Sequence, residues 1–364
     1  MKVIFPTVWR GFAARSNNEK TIKKSRLYVM KAMILKDFGP IEQNPLKLVT
    51  LPDPELGPDE ILIQVNVCGV CHTDLHTVEG ELPEARLPII PGHQIVGRVK
   101  KRGENASRFK VGDRVGVAWL YSTDRTCPYC KRGNENLCPN ARFTGYHVNG
   151  GYAEFIAIPD RFAYAIPDIF GDEEAAPLLC AGIIGYRALR LSEIKPGQKL
   201  GLIGFGASAH VAIQVAVHWG CEVHVFSRSA EHRDLAQRLG AVWTGTSKEE
   251  PPEKLDSIVN FTPAGPTVLD GMRMLDKGGT QALAGIYMSP VPEMEYVQYL
   301  YQERTLRSVA NATRKDGEDL LRIAAEIPIR TTTTVFPLEE ANKVLKLLKD
   351  SKINGAAILS LRGA

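Results

Sequence analysis

The chain predicts an α/β protein of two parts, a mostly β barrel or roll followed by a doubly wound parallel sheet. Three observations carry that expectation. A length of 364 residues exceeds what one ordinary core fills. Short β-type runs separated by Gly/Pro turns extend from "KAMILKDFG" to about residue 165, and from 199 to 311 apolar strands alternate with helical stretches.

In the first part, "ILIQVNVCGV", "IVGRVKK", "DRVGVAWL" and "GYAEFIAIP" are rich in β-branched residues, and no helical period persists between them. In the second, "KLGLIGFG" reads as a strand, "SAHVAIQVAVHWG" as a helix, "EVHVFSR" as a strand and "AEHRDLAQRLGA" as a helix. "LDSIVNFTP", "GGTQALAGI" and "TLRSVAN" supply further strands. That βαβ rhythm implies a parallel sheet covered on both faces. The tail offers a helix, "PLEEANKVLKLLKDSK", and a strand, "GAAILSL", able to rejoin the first part.

The formal charge of +4 is unevenly spread. Residues 1–29 hold seven Lys/Arg against Glu19 alone, leaving 38 basic and 40 acidic residues in the body. A nearly neutral body argues against a nucleic-acid partner. No apolar run of about 18 residues occurs, so no membrane span is expected. The Arg-rich, acid-poor leader suits a transit peptide, or a disordered extension with Met30 opening the folded chain; the second reading is preferred, and 1–29 is left out of the fold. Seven cysteines without an apolar signal segment point to a reducing compartment, the cytoplasm.

In "GLIGFGASAH", Gly204, Gly206 and Ala209 form G-x-G-x-x-A between a strand and a helix. The first glycine permits a tight turn, the second lets amides approach a pyrophosphate, and the small third residue lets helix and strand pack closely. A dinucleotide site is expected there. The next strand ends in Ser227 and Arg228 instead of an acid for the ribose hydroxyls, which favours NADP over NAD.

Metal donors cluster elsewhere. "CGVCHTDLH" packs Cys68, Cys71, His72, Thr73, Asp74 and His76 together, His93 follows in "PGHQIVG", and Cys180 stands before the dinucleotide part. Thiolate and imidazole donors favour zinc, and three of them leave a position open for water or substrate. Cys68 and Cys221 are assigned to the core. "STDRTCPYCKRGNENLCPN" adds Cys127, Cys130 and Cys138, one donor short of a closed tetrahedral site.

Together these stretches make the chain resemble the zinc-dependent alcohol dehydrogenases of the medium-chain dehydrogenase/reductase superfamily, in order over residues 30–360. The resemblance implies a GroES-like catalytic domain over 30–180 and 312–364, and a Rossmann domain over 181–311. It implies Cys71, His93 and Cys180 as catalytic zinc ligands, with Asp74 fixing the tautomer of His93. Thr73 and His76 would relay the alcohol proton, His72 would sit near the pyrophosphate and Trp119 would line the substrate pocket.

The family's lobe pattern, C-x2-C-x2-C-x7-C, places Asp124 where its first cysteine stands. Asp124 becomes the candidate fourth ligand of a second zinc; the alternative is a lobe that has lost its metal. Gln94 and Ala356 depart from the Glu and Arg common in the family, so phosphate binding would rest on the helix N-terminus and His72. The implied reaction is reversible hydride transfer between a primary alcohol or aldehyde and NAD(P), in a homodimer or homotetramer. Its rivals are a zinc-free quinone or enoyl reductase of the same fold and a non-catalytic nucleotide-binding relic with structural zinc alone.

Overall fold

The computed structural model describes residues 29–361 apart from Pro83 and Pro328. All but the last residue of the expected N-terminal extension lies outside them; Val29 already belongs to a strand, Val29–Leu35, paired antiparallel with Leu46–Pro52. A seven-stranded sheet is built around Glu60–Val70. This long strand pairs antiparallel with Gln94–Arg102, Phe155–Pro159 and Ala356–Ser360. Strand Thr333–Pro337 adds to the last of these in parallel.

The second sheet has six parallel strands in the order Trp243–Gly245, Glu222–Phe226, Lys199–Ile203, Leu255–Asn260, Leu275–Leu283 and Thr305–Ser308. Its central strands, Lys199–Ile203, Glu222–Phe226 and Leu255–Asn260, are almost wholly buried because helices cover both faces. Val223 and Val225 face one apolar cluster and Phe226 another, as the two-residue repeat of a strand requires. The loops after Ile203, Phe226 and Asn260 leave the same edge of the sheet, where doubly wound folds bind their ligands.

One core crosses the junction. Val67 and Val96 of the β sheet, Leu178 and Leu179 of the connection, and Leu200, Val211 and Val223 of the parallel sheet belong to a single buried cluster. The helix Ala181–Leu191 is tied to the helix Arg314–Glu326 by Asp316, fully buried, which receives Arg187 at 2.6 Å and also Arg190. Asp316 simultaneously caps its own helix, accepting from the Thr313 amide at 2.9 Å.

Sequence patterning did not reveal the helix His72–Glu79 inside the β half. Its face is mostly polar, and what holds it is local capping, described below.

Asp316→Ala is expected to destabilise the fold by about 3–5 kcal/mol, because it leaves the buried Arg187 guanidinium unpaired. A urea midpoint measures the loss. Replacing both partners with apolar residues should recover much of it, and a midpoint unchanged in the single variant would show that the pair contributes nothing.

Candidate active site

The site is assembled by a cap, a glycine and a bend. Cys71 is the N-cap of His72–Glu79, and Asp74 three residues on accepts the Cys71 amide at 2.9 Å through Oδ2. Such reciprocal capping satisfies donors that a helix start leaves bare. Gly80, at φ 75°, ends the helix after two turns.

The second donor arrives through Gly92, at φ 98°. A Cβ there would lie 2.4 Å from the Tyr152 ring and 2.8 Å from Cys68 Sγ, so only glycine brings the chain this close. His93 then lies fully buried with Nδ1 3.0 Å from Asp74 Oδ1 and Nε2 3.3 Å from Cys71 Sγ. Asp74 Oδ1 also accepts the Gly92 amide at 3.2 Å. Cys180 comes in from the bend between the turn Ala176–Leu179 and the helix Ala181–Leu191.

Donor atoms of Cys71, His93 and Cys180 all lie within 4.8 Å of one another, an arrangement able to hold a metal ion. Without a metal ion the donors hold protons. Hydrogen bonding with Cys180 and burial push the Cys71 thiol well up. Burial disfavours charge on His93, but the Asp74 carboxylate and the Cys71 sulfur outweigh it and push the imidazole up to about 10. A divalent ion reverses both preferences by displacing the protons. Two sulfurs and one imidazole suit zinc, and three donors leave a coordination position free.

The lobe gathers Asp124, Cys127, Cys130 and Cys138 with donor atoms again within 4.8 Å of one another. Asp124 Oδ1 accepts the amides of Cys127 at 3.0 Å and Thr126 at 2.9 Å, while Oδ2 accepts Asn140 Nδ2 at 2.9 Å. These bonds, that from Cys127 foremost, hold its carboxyl well below the usual carboxylate range. Burial pushes the Cys138 thiol up to about 11 and the Cys130 thiol up as well, so these sulfurs keep their protons until a metal ion displaces them and gives the four donors a common partner.

Beside the buried donors, the Trp119 indole meets the His93 ring edge-on at 4.8 Å and stacks on Phe143 at 5.3 Å. Thr73 and His76 share a face of the short helix. His76 Nδ1 pairs with Glu81, a partner that sequence alone did not single out because it lies beyond the helix end. His72 is exposed, its ring 6.3 Å from that of His76. Cys68 and Cys221 are buried, Gln94 is buried against Gly69, and Ala356 opens the strand Ala356–Ser360.

At the sheet edge Gly204 takes φ 84°, and a Cβ there would sit 2.8 Å from Thr262 Cγ2. Gly206 caps the helix Ala207–His218, and Ala209 is fully buried beneath it. Ser227 is nearly buried at the end of the neighbouring strand, with Arg228 exposed beyond it.

A β half carrying two metal-donor clusters, joined to a parallel sheet with a glycine-rich turn, defines a zinc-dependent dehydrogenase. Residues 57–168 match the model of the alcohol dehydrogenase GroES-like domain, and 209–326 that of the zinc-binding dehydrogenases. The chain is 46% identical over 335 residues to the "Probable alcohol dehydrogenase AdhA" of Mycobacterium tuberculosis, covering 91% of this chain and 97% of that protein. Among solved structures, a cinnamyl alcohol dehydrogenase of Sorghum bicolor superposes with a TM-score of 0.83 at 26% identity, covering 93% of this chain and 99% of that one. A Helicobacter pylori CAD complexed with NADP(H) gives 0.82 at 26% identity, covering 92% and 99%. The chain belongs to the zinc-dependent alcohol dehydrogenase family of the medium-chain dehydrogenase/reductase superfamily, and its chemistry is hydride transfer between an alcohol or aldehyde and a nicotinamide nucleotide.

Protein stripped with a chelator and returned to zinc is expected to bind two equivalents per chain and to release protons at neutral pH, read with an indicator dye in weak buffer. Uptake without proton release would show that the donors are deprotonated before the metal arrives.

Proposed function

We propose that this enzyme oxidises a primary alcohol, and reduces the aldehyde, with NADP as the favoured nucleotide and Cys71, His93 and Cys180 as the catalytic zinc ligands. The single observation that carries the reading is the convergence of those three donors beside a nearly buried carboxylate. Bound there, zinc supplies a Lewis acid that lowers the alcohol's pKa, and the nicotinamide supplies the hydride acceptor.

The protein's own groups do the rest. Asp74 holds the Nδ1 proton of His93, so that Nε2 presents its lone pair toward Cys71. Thr73 takes the alcohol proton at its hydroxyl and passes it to His76. With Nδ1 engaged by Glu81 and the side chain 22% exposed, His76 hands the proton on to solvent. Trp119, backed by Phe143, supplies an apolar wall against which the substrate's carbon chain or ring lies. The Sorghum neighbour is named for cinnamyl alcohol, and an aromatic wall suits aliphatic and aromatic primary alcohols alike.

Gly204, Gly206 and Ala209 receive the pyrophosphate at the start of Ala207–His218, with His72 facing it from the other domain. Ser227 and Arg228 receive the adenosine phosphate. Asp124 completes the structural zinc site with Cys127, Cys130 and Cys138.

Beyond the edge strand Thr305–Ser308, the preceding segment exposes Ile286, Tyr287, Val291, Tyr296, Val297 and Tyr301. Such a run of apolar surface supports a homodimer or homotetramer. Among the described residues no helix is long and apolar enough to cross a membrane. The cysteine usage supports a cytoplasmic enzyme.

A panel of alcohols and aldehydes assayed with each nucleotide tests the reading directly. Cys180→Ser and His93→Ala should abolish turnover while nucleotide binding persists. Arg228→Ala should raise KM for NADP by about tenfold, the worth of a charge-assisted hydrogen bond, and leave that for NAD nearly unchanged. A wild type that strongly prefers NAD would overturn the nucleotide assignment.

For the lobe, Asp124→Ala should drop zinc content to one per chain and lower thermal stability before activity falls, whereas Asp124→Cys should keep both ions. Two zinc ions in the Ala variant would remove Asp124 from the ligand set.

A further inference from the structure

Arg233 has no part in the roles assigned so far, yet its guanidinium organises the turn that follows the strand Glu222–Phe226. Nη1 donates to the Ser227 carbonyl at 2.7 Å and to the Arg228 carbonyl at 3.0 Å. The Ser227 amide is occupied from another direction, donating to Gly245 O at 2.8 Å. Ser229 then caps the helix Ala230–Arg238, its hydroxyl accepting the His232 amide at 3.2 Å.

Peptide planarity turns this into a directional statement. In a trans peptide the N–H points opposite to the C=O of the same unit. Two successive carbonyls drawn onto one guanidinium therefore send the amides of Arg228 and Ser229 away from it, on the opposite side of the turn. Among the described residues neither amide has a hydrogen-bond partner. They stand beside the Ser227 hydroxyl, which lies 3.5 Å from His232 Nδ1, and beside the first turn of a helix, whose Ala230 and Glu231 amides are also bare. Successive free amides in such a turn form a concavity for an anion.

We infer that Arg233 is a positioning residue for the nucleotide's 2′-phosphate: by holding the carbonyls of Ser227 and Arg228 it presents their neighbouring amides to that phosphate. It also keeps two carbonyl dipoles from facing the anion. The inference rests on the NADP reading of this site, and goes beyond it by assigning the specificity to backbone amides set by a residue one helical turn away, in addition to the Arg228 side chain.

Titration calorimetry with 2′-AMP and 5′-AMP on the full-length protein separates the two claims. The first nucleotide carries only the phosphate in question and the second lacks it. Wild type should bind 2′-AMP more tightly than 5′-AMP, and Arg233→Ala should weaken 2′-AMP by about tenfold or more while leaving 5′-AMP nearly unchanged. Arg233→Lys, which keeps a cation able to reach one of the carbonyls, should fall between them. It also provides the comparison if the Ala variant is poorly folded. Equal binding of the two nucleotides to wild type would overturn the NADP reading itself. Preference for 2′-AMP that survives undiminished in both variants, or an equal loss of both nucleotides, would overturn the role of Arg233 and leave that reading standing.

Discussion

One carboxylate organises the catalytic half. Asp74 is almost completely buried, and its oxygens are engaged by the Cys71 amide, the His93 imidazole and the Gly92 amide. Two of the three candidate ligands, 22 residues apart in sequence, thus take their orientation from a single group. A buried charge persists only when its lone pairs are satisfied, so the helix cap and the ligand geometry stand or fall together. The short helix needs no amphipathic stripe because this cap, with Gly80 at its end, does the work of defining it.

The two halves of the molecule solve different problems. The β half places side chains from distant strands and loops around one point, and it uses glycine where bulk would push them apart. The parallel sheet instead presents backbone: helix starts and turns at one edge, with few side chains committed. The Ala181–Leu191 helix joins these tasks, beginning at Cys180 and anchored farther along by Asp316. A second anchor runs through the lobe, where Arg314 pairs with Glu135 at 2.6 Å and Asn136 Nδ2 donates to Ala310 O at 2.7 Å.

Legibility followed the range of the interactions. The parallel sheet was readable because each strand and helix carries its own periodicity. Cys71, His93, Cys180 and the lobe residues could be named through the resemblance that their stretches carry, Asp124 by its register with the family's cysteine pattern, and the fold brings each set together. The helix His72–Glu79 was hidden because it is defined by a cap, not by apolar spacing. Glu81, Glu135 and Arg233 were hidden for a related cause: each acts on a partner through tertiary geometry, and a lone charged residue in sequence gives no sign of which backbone or side chain it meets. The grouping of chemistry was visible; the supports that orient it were not.

The pairing of Ala356–Ser360 with Glu60–Val70 bears on how the polypeptide is made. The seven-stranded sheet takes two strands, Thr333–Pro337 and Ala356–Ser360, from residues that follow the parallel sheet, and Leu46 and Asn342 exchange hydrogen bonds across 296 residues. During synthesis the parallel sheet, whose strands follow one another closely, can fold while the β half still lacks two strands on the ribosome. For that interval the edge at Val67–Val70 is open to pairing with a foreign strand. The candidate donors Cys71 and His93 would meanwhile await a scaffold that Thr333–Pro337 and Ala356–Ser360 complete.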